Sequence, residues 1–165
     1  MTVLPSLAVL GKQLVSQCRR AGTTITVAES CTGGLVTASI TSAPGASDIL
    51  HEAFIVYSDV AKARALGISP RLLADKGAVS SDVAAAMAQG ALQRSGANIA
   101  VAVTGVAGPS GGTEGKPVGL VFFATAAALG TIHTNSQQFS GDRDNIRAQS
   151  ATFALRLLMD TATLL

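Results

Sequence analysis

The sequence predicts an α/β protein with three layers, α/β/α, in which helices cover both faces of a mixed five-stranded sheet. Three observations predict it. Helix and strand patterns alternate over the first two thirds of the chain, which suits parallel strands joined by helical crossovers. Residues Asn98 to Thr104 are apolar almost throughout, as a strand covered on both faces should be. Val118 to Ala127 and Thr131 to Phe139 read as two strands joined near Leu129-Gly130, and this hairpin makes at least one strand antiparallel.

The elements follow in order. Leu7, Leu10, Leu14 and Cys18 recur at helical spacing with Lys12, Arg19 and Arg20 off the stripe, predicting a helix from about Pro5 to Ala21 that Gly22 ends. Thr23 to Ala28 is β-branched and alternating, the first strand. Gly33 to Thr41 is a helix closed by Pro44-Gly45, and Ile49 to Tyr57 is the second strand. Val60 to Leu66 is a short helix with Gly67 at its end. Ser69-Pro70 opens another, with proline in the first turn. Ser80 or Ser81 caps a longer helix to about Arg94, where Asp82 suits the helix dipole. After the third strand and the hairpin, Asp142 to Leu164 forms the last helix, with Ile146, Ser150, Phe153 and Leu157 on one stripe.

Composition excludes several functions. The 165 residues read as a single domain, 1–165, large enough to bury about 70% of its unfolded surface. Apolar residues make up 48% and charged residues 13%, against about 25% charged in ordinary domains, so disorder and coiled coil are poor readings. With 4% aromatics, no Trp and one Tyr, the chain has no stacking platform for single-stranded nucleic acid. A net charge of +2 is too small for a polybasic DNA or membrane binder. We therefore expect no nucleic-acid partner and no membrane. Cys18 and Cys31 cannot build a four-thiolate zinc site and fit a reducing compartment. The N-terminal stretch lacks a basic leader, and Lys12 interrupts its apolar run. The most apolar window, Val118 to Leu129, falls short of the roughly 20 residues that span a bilayer. A cytoplasmic location is expected. His51 and His133 fall on separate strands with no ligand cluster around them, so neither a metal nor another cofactor is expected.

Ligands of such sheets bind beyond the carboxyl ends of the parallel strands, and polar clusters fall there. Ala28-Glu29-Ser30-Cys31-Thr32-Gly33-Gly34 joins the first strand to a helix in very few residues. Its bare N–H groups can hold an anion or flank a nucleophile. Alternatively, Ser30 or Thr32 simply caps the helix and the glycines allow a tight turn. Cys31 ranks below Ser30 as a nucleophile, because no neighbouring cation lowers its pKa. Tyr57-Ser58-Asp59-Val60-Ala61-Lys62 follows the second strand. Lys62, if desolvated, can be a neutral base and Tyr57 its partner; otherwise Lys62 is a solvated surface residue. Ser58, four residues before Lys62, competes with Ser30 for the role of nucleophile. In the third cluster, five of the eleven residues from Gly105 to Gly115 are glycine, just after Thr104. That loop can wrap a phosphate or serve as a plain connector. It is no Walker A loop, and no G-x-G-x-x-G follows the first strand. Arg143, at the start of the last helix, can fork onto a phosphate or pair with its aspartate neighbours.

Taken together, AESCTGG, YSDVAKARALG, GAVS, TGVAGPSGGTEGKPVG and FSGDRDNIR resemble, in order and spacing, the C-terminal domain of the competence/damage-inducible CinA family. The resemblance runs from about residue 5 to the end and lacks that family's larger N-terminal pyrophosphatase-like domain. It implies a three-layer sheet fold, a homodimer, and hydrolysis of the carboxamide of nicotinamide mononucleotide to nicotinic acid mononucleotide and ammonia. By the same resemblance Ser30 is the nucleophile, with Lys62 as base and Tyr57 as its partner. Thr104 and Arg143 belong to the same pocket. Gly33, Gly34, Gly105 and Gly108 match family glycines that approach the nucleotide. Cys31 and Thr32 complete the substrate-binding turn, whose N–H groups from Cys31 to Gly34 are expected to stabilise the tetrahedral oxygen. Asp59-Val60 stands where family members often have Asn-Glu, a departure confined to a helix surface. The rival from another class is a non-catalytic nucleotide-binding module that regulates a partner in competence or DNA-damage responses.

Overall fold

The structure, a computed structural model, describes residues 6–164. Its elements are α1 (Leu7–Ala21), β1 (Ile25–Glu29), α2 (Leu35–Thr41), β2 (Leu50–Ile55), α3 (Asp59–Leu66), α4 (Pro70–Lys76), α5 (Ser81–Ser95), β3 (Ile99–Gly105), β4 (Leu120–Ala127), β5 (Ile132–Gln138) and α6 (Arg143–Thr163), with a 3₁₀ turn at Ala46–Asp48. The expected start of the first helix at Pro5 lies outside the described residues. Elsewhere the ends move by a residue or two, for local reasons. Helix α2 begins at Leu35 because Gly33 and Gly34 take φ of 58° and 97°, outside the right-handed helical region. Strand β2 stops before Tyr57 because the chain must turn for Ser58 to cap α3.

The sheet order is β2-β1-β3-β4-β5. Strand β1 pairs in parallel with both β2 and β3. Strand β4 is antiparallel to β3, and β5 to β4, so only β4 runs against the rest. Helices α1, α2 and α6 pack on one face and α3, α4 and α5 on the other, which makes the three layers. The expected fold class is the observed one. Among the described residues no helix is long and apolar enough to cross a membrane.

Side-chain alternation along the strands decides where the polar groups go. Ile25 and Val27 of β1, with Ile99, Val101 and Val103 of β3, belong to the core beneath α1, α2 and α6. Ala28, Ala100 and Ala102 belong to the opposite core, beneath α5. The Ser30 N–H still bonds the Val103 carbonyl at 3.0 Å, so the alternation carries one residue past β1. Glu29 is thereby sent towards α2, and Ser30 towards α3. Helix α6 is seated by Phe153, whose ring centroid lies 4.7 Å from that of Phe123 on β4. That docking, worth about 0.5–1.5 kcal/mol beyond area burial, brings the first turns of α6 to the strand ends.

Candidate active site

The Ser30 hydroxyl and the Lys62 amine meet, although 32 residues separate them: Nζ lies 3.1 Å from Oγ. Lys62 is on the first turns of α3 and is only 1% exposed. The solvated-surface alternative is wrong, because α3 packs against α4 and α5 and turns Lys62 inward to Ser30, one residue past β1. Among the described residues no carboxylate oxygen lies within 4.0 Å of the amine. Burial therefore lowers its pKa from the ordinary 10.5, with more distant Asp59 and Cys31 acting the other way. An amine N–H also donates to the Tyr57 carbonyl at 3.4 Å. In the neutral form that bond leaves the nitrogen lone pair free for the Ser30 hydroxyl.

Ser58 is not in this arrangement. Its Oγ accepts the Ala61 N–H at 3.1 Å and caps α3, while its carbonyl accepts the Lys62 backbone N–H. Tyr57 is present in a different way from that expected. Its hydroxyl accepts from Arg143 Nη2 at 2.8 Å, so only its backbone carbonyl holds the lysine amine. Cys31 is 6% exposed beside Ser30, and burial pushes its thiol up to about 12, which disfavours the thiolate.

A cleft of 290 Å³ opens over the pair, walled by Ser30, Cys31, Tyr57, Lys62, Thr104 and Arg143 together with Ala78, Val79 and the 105–111 loop. Among the described residues no carboxylate lines it, whereas Lys62 and Arg143 do. Arg143 Nη1 donates to the Gly108 carbonyl at 2.7 Å, and among the described residues no carboxylate pairs with it. Its charge is left to the cleft, so the cleft favours an anion. Thr104 is buried in the wall, its hydroxyl donating to the Ala78 carbonyl at 2.8 Å. Gly105 and Gly108 line the cleft, but packing alone already demands glycine there. A Cβ on Gly105 would meet the Leu120 carbonyl, and one on Gly108 would meet Val118.

The turn before α2 differs most from expectation. Neither Ser30 nor Thr32 caps the helix. The cap is the carboxylate of Glu29, 0% exposed, which accepts from the N–H groups of Gly34, Val36 and Thr37 and from the Thr37 hydroxyl. The Gly33 N–H is bonded to the Ser30 carbonyl at 3.0 Å. Thr32, Gly33 and Gly34 therefore do not line the cleft, and the two glycine N–H groups already have acceptors. Of the N–H groups in this turn, that of Cys31, which lines the cleft, has no oxygen acceptor among the described residues, and it is the donor left beside Ser30. Among the described residues the Thr32 Oγ1 is buried without a partner, and nothing in the structure explains it. Sequence reasoning missed Arg147, whose Nη2 donates to the Thr32 carbonyl at 3.0 Å. Its signal was its place one helical turn after Arg143. It missed Ala78 and Val79 as well, although their GAVS run stands among the motifs quoted above.

Fold and site together define a class: a three-layer α/β protein with a buried serine–lysine pair in an anion-favouring cleft at the ends of its parallel strands. Residues 7–162 match the family described as the CinA C-terminal domain, and the chain belongs to that family. A CinA-like protein of Mycobacterium sp. (strain JLS) is 51% identical over 138 residues, covering 84% of this chain and 33% of the relative. The chain thus spans about a third of the length of such relatives. The nicotinamide-nucleotide amidohydrolase PncC of Escherichia coli (strain K12) is 46% identical over 149 residues, 90% of each protein. In structure, the competence/damage inducible protein CihA of Agrobacterium tumefaciens matches with a TM-score of 0.92 at 39% identity, over 97% of this chain and 98% of that one.

Proposed function

We propose that this chain, acting as one domain, hydrolyses the carboxamide of nicotinamide mononucleotide to nicotinic acid mononucleotide and ammonia. The observation that carries the chemistry is the buried Lys62 amine, held 3.1 Å from the Ser30 hydroxyl with no carboxylate beside it among the described residues. The substrate class is supported by the amidohydrolase relative that matches over 90% of both chains. A homodimer, implied by the family resemblance, is part of the same proposal.

Ser30 Oγ attacks the carboxamide carbon while its proton passes to Lys62 Nζ. The carbonyl oxygen becomes an oxyanion, and the Cys31 N–H, which has no oxygen acceptor among the described residues, is the donor beside Ser30 to receive it. Removing one donor of this kind costs about 3–4 kcal/mol of transition-state stabilisation. Lys62 then returns the proton to the departing amine nitrogen, and ammonia leaves an ester on Ser30. Water attacks that ester as Lys62 takes its proton, the acyl C–Oγ bond breaks, Lys62 returns the proton to Ser30 Oγ, and nicotinic acid mononucleotide leaves. The pyridinium ring withdraws electrons from the carbonyl throughout, which lightens the demand on the site. The phosphate lies towards Arg143 and the 105–111 loop.

Ammonia release measured side by side with nicotinamide mononucleotide, free nicotinamide and the dinucleotide tests this function. Turnover should be confined to the mononucleotide. Tight nucleotide binding without any ammonia would instead favour the regulatory module. Arg143→Ala should raise KM about tenfold or more while kcat changes little, since the lost charge-assisted bonds are made to the phosphate in both ground and transition states. A kcat loss at constant KM would move Arg143 from the phosphate to the reacting atoms.

A further inference from the structure

The turn that carries Ser30 has two consecutive glycines in left-handed conformations, φ 58° at Gly33 and 97° at Gly34, and glycine backbone is intrinsically loose. It is nevertheless tied on both sides. Glu29 Oε2 accepts from the N–H groups of Gly34 at 3.0 Å and Val36 at 3.1 Å, and Oε1 from the Thr37 N–H at 2.8 Å and hydroxyl at 2.6 Å. From the other side Arg147 holds the Thr32 carbonyl.

This is more than capping needs. Caps are ordinarily made by an exposed Ser, Thr, Asp or Asn at the N-cap itself. Here the N-cap is Gly34, without a side chain, and the cap is a fully buried carboxylate on the neighbouring strand. Among the described residues no cation lies within 4.0 Å of it. A carboxylate is expensive to bury and is retained where geometry must be fixed. Glu29 is joined to Ser30 by one peptide bond, and the two side chains leave β1 on opposite faces. Holding Glu29 against α2 therefore fixes the direction of Ser30 towards Lys62 and the aim of the Cys31 N–H group. We infer that Glu29 is a positioning residue for the hydrolysis, acting through this turn; the inference rests on Ser30 being the nucleophile.

The experiment compares Glu29→Gln with wild type, Ser30→Ala and Met87→Ala. Gln keeps the size and one acceptor oxygen but turns an NH₂ against the N–H donors of α2. Met87, 0% exposed on α5, touches none of the site, and its truncation lowers Tm without misaiming the turn. At a temperature where every variant is folded, Glu29→Gln should lose about 100-fold in kcat with KM for nicotinamide mononucleotide within about threefold. Met87→Ala should keep its kcat. Should Glu29→Gln fail to fold, Thr37→Val removes only the hydroxyl bond to the carboxylate and should lower kcat several-fold at constant KM. Unchanged kcat in folded Glu29→Gln, or in Thr37→Val where that variant stands in, overturns the positioning role while leaving the amidase reading intact. A wild type that releases no ammonia overturns both.

Discussion

Ser30→Ala is expected to lower ammonia release from nicotinamide mononucleotide by at least about 10⁴-fold, because loss of a covalent nucleophile collapses the whole unit that depends on it. KM should stay close to wild type, since Arg143 and the 105–111 loop are untouched. The informative comparison is Ser58→Ala. Ser58 is the serine within reach of Lys62 by sequence, and the fold brings up Ser30 instead. The Ser58 hydroxyl is occupied by the Ala61 N–H. Its loss should cost about 1 kcal/mol of stability through the frayed cap and leave kcat near wild type. Steady-state ammonia assays and thermal melts on both variants decide the matter. Full turnover in Ser30→Ala with none in Ser58→Ala would reverse the assignment of the nucleophile.

The sheet was legible because its signals are local and redundant. The almost wholly apolar run of β3, the glycine stops after α1 and α3, and the hairpin at Leu129-Gly130 each read correctly on their own. The placement of polar clusters at the carboxyl ends of parallel strands followed from topology alone. What local pattern could not supply was the depth of a side chain. Lys62 has the sequence setting of a surface lysine on a short helix, and only tertiary packing, which turns its amine in to Ser30 just past β1, buries it. Glu29 was passed over as part of a polar turn. Yet the period of two that puts Ile25 and Val27 inward also puts residue 29 inward, and an acidic residue at a buried strand position is itself the signal. Tyr57 shows the remaining gap. A residue type at the right place does not say which of its atoms is used, and here the carbonyl, not the phenol, holds the amine.

Lys62→Met should reduce kcat by about 10²–10⁴-fold, the ordinary worth of a positioned general base, with the phosphate-binding part of KM preserved. The same substitution should leave the fold as stable or make it more stable, because an unpaired buried amine is replaced by an apolar chain of similar length. The pH dependence follows from the direction of the shift. Burial lowers the folded-state pKa of Lys62 below the ordinary 10.5. Below that lowered value the amine is protonated in folded and unfolded chains alike, so the folded state bears the full penalty of a buried charge. Between the lowered value and 10.5 the unfolded chain binds more protons, so the stability of the wild type rises with pH and the penalty is gone above 10.5. The stability gap between Lys62→Met and wild type is therefore widest at the acid end and narrows as pH approaches 10.5. Activity moves in the same direction, since only the neutral amine accepts the serine proton: wild-type kcat/KM should climb through the lowered pKa and level off above it. Urea titrations and initial rates across the neutral-to-alkaline range read both curves. A stability gap that does not change with pH, beside a rate that does not either, would show that the amine stays charged in the folded protein. A charged amine cannot take the proton from Ser30, and the proposed chemistry would have no base.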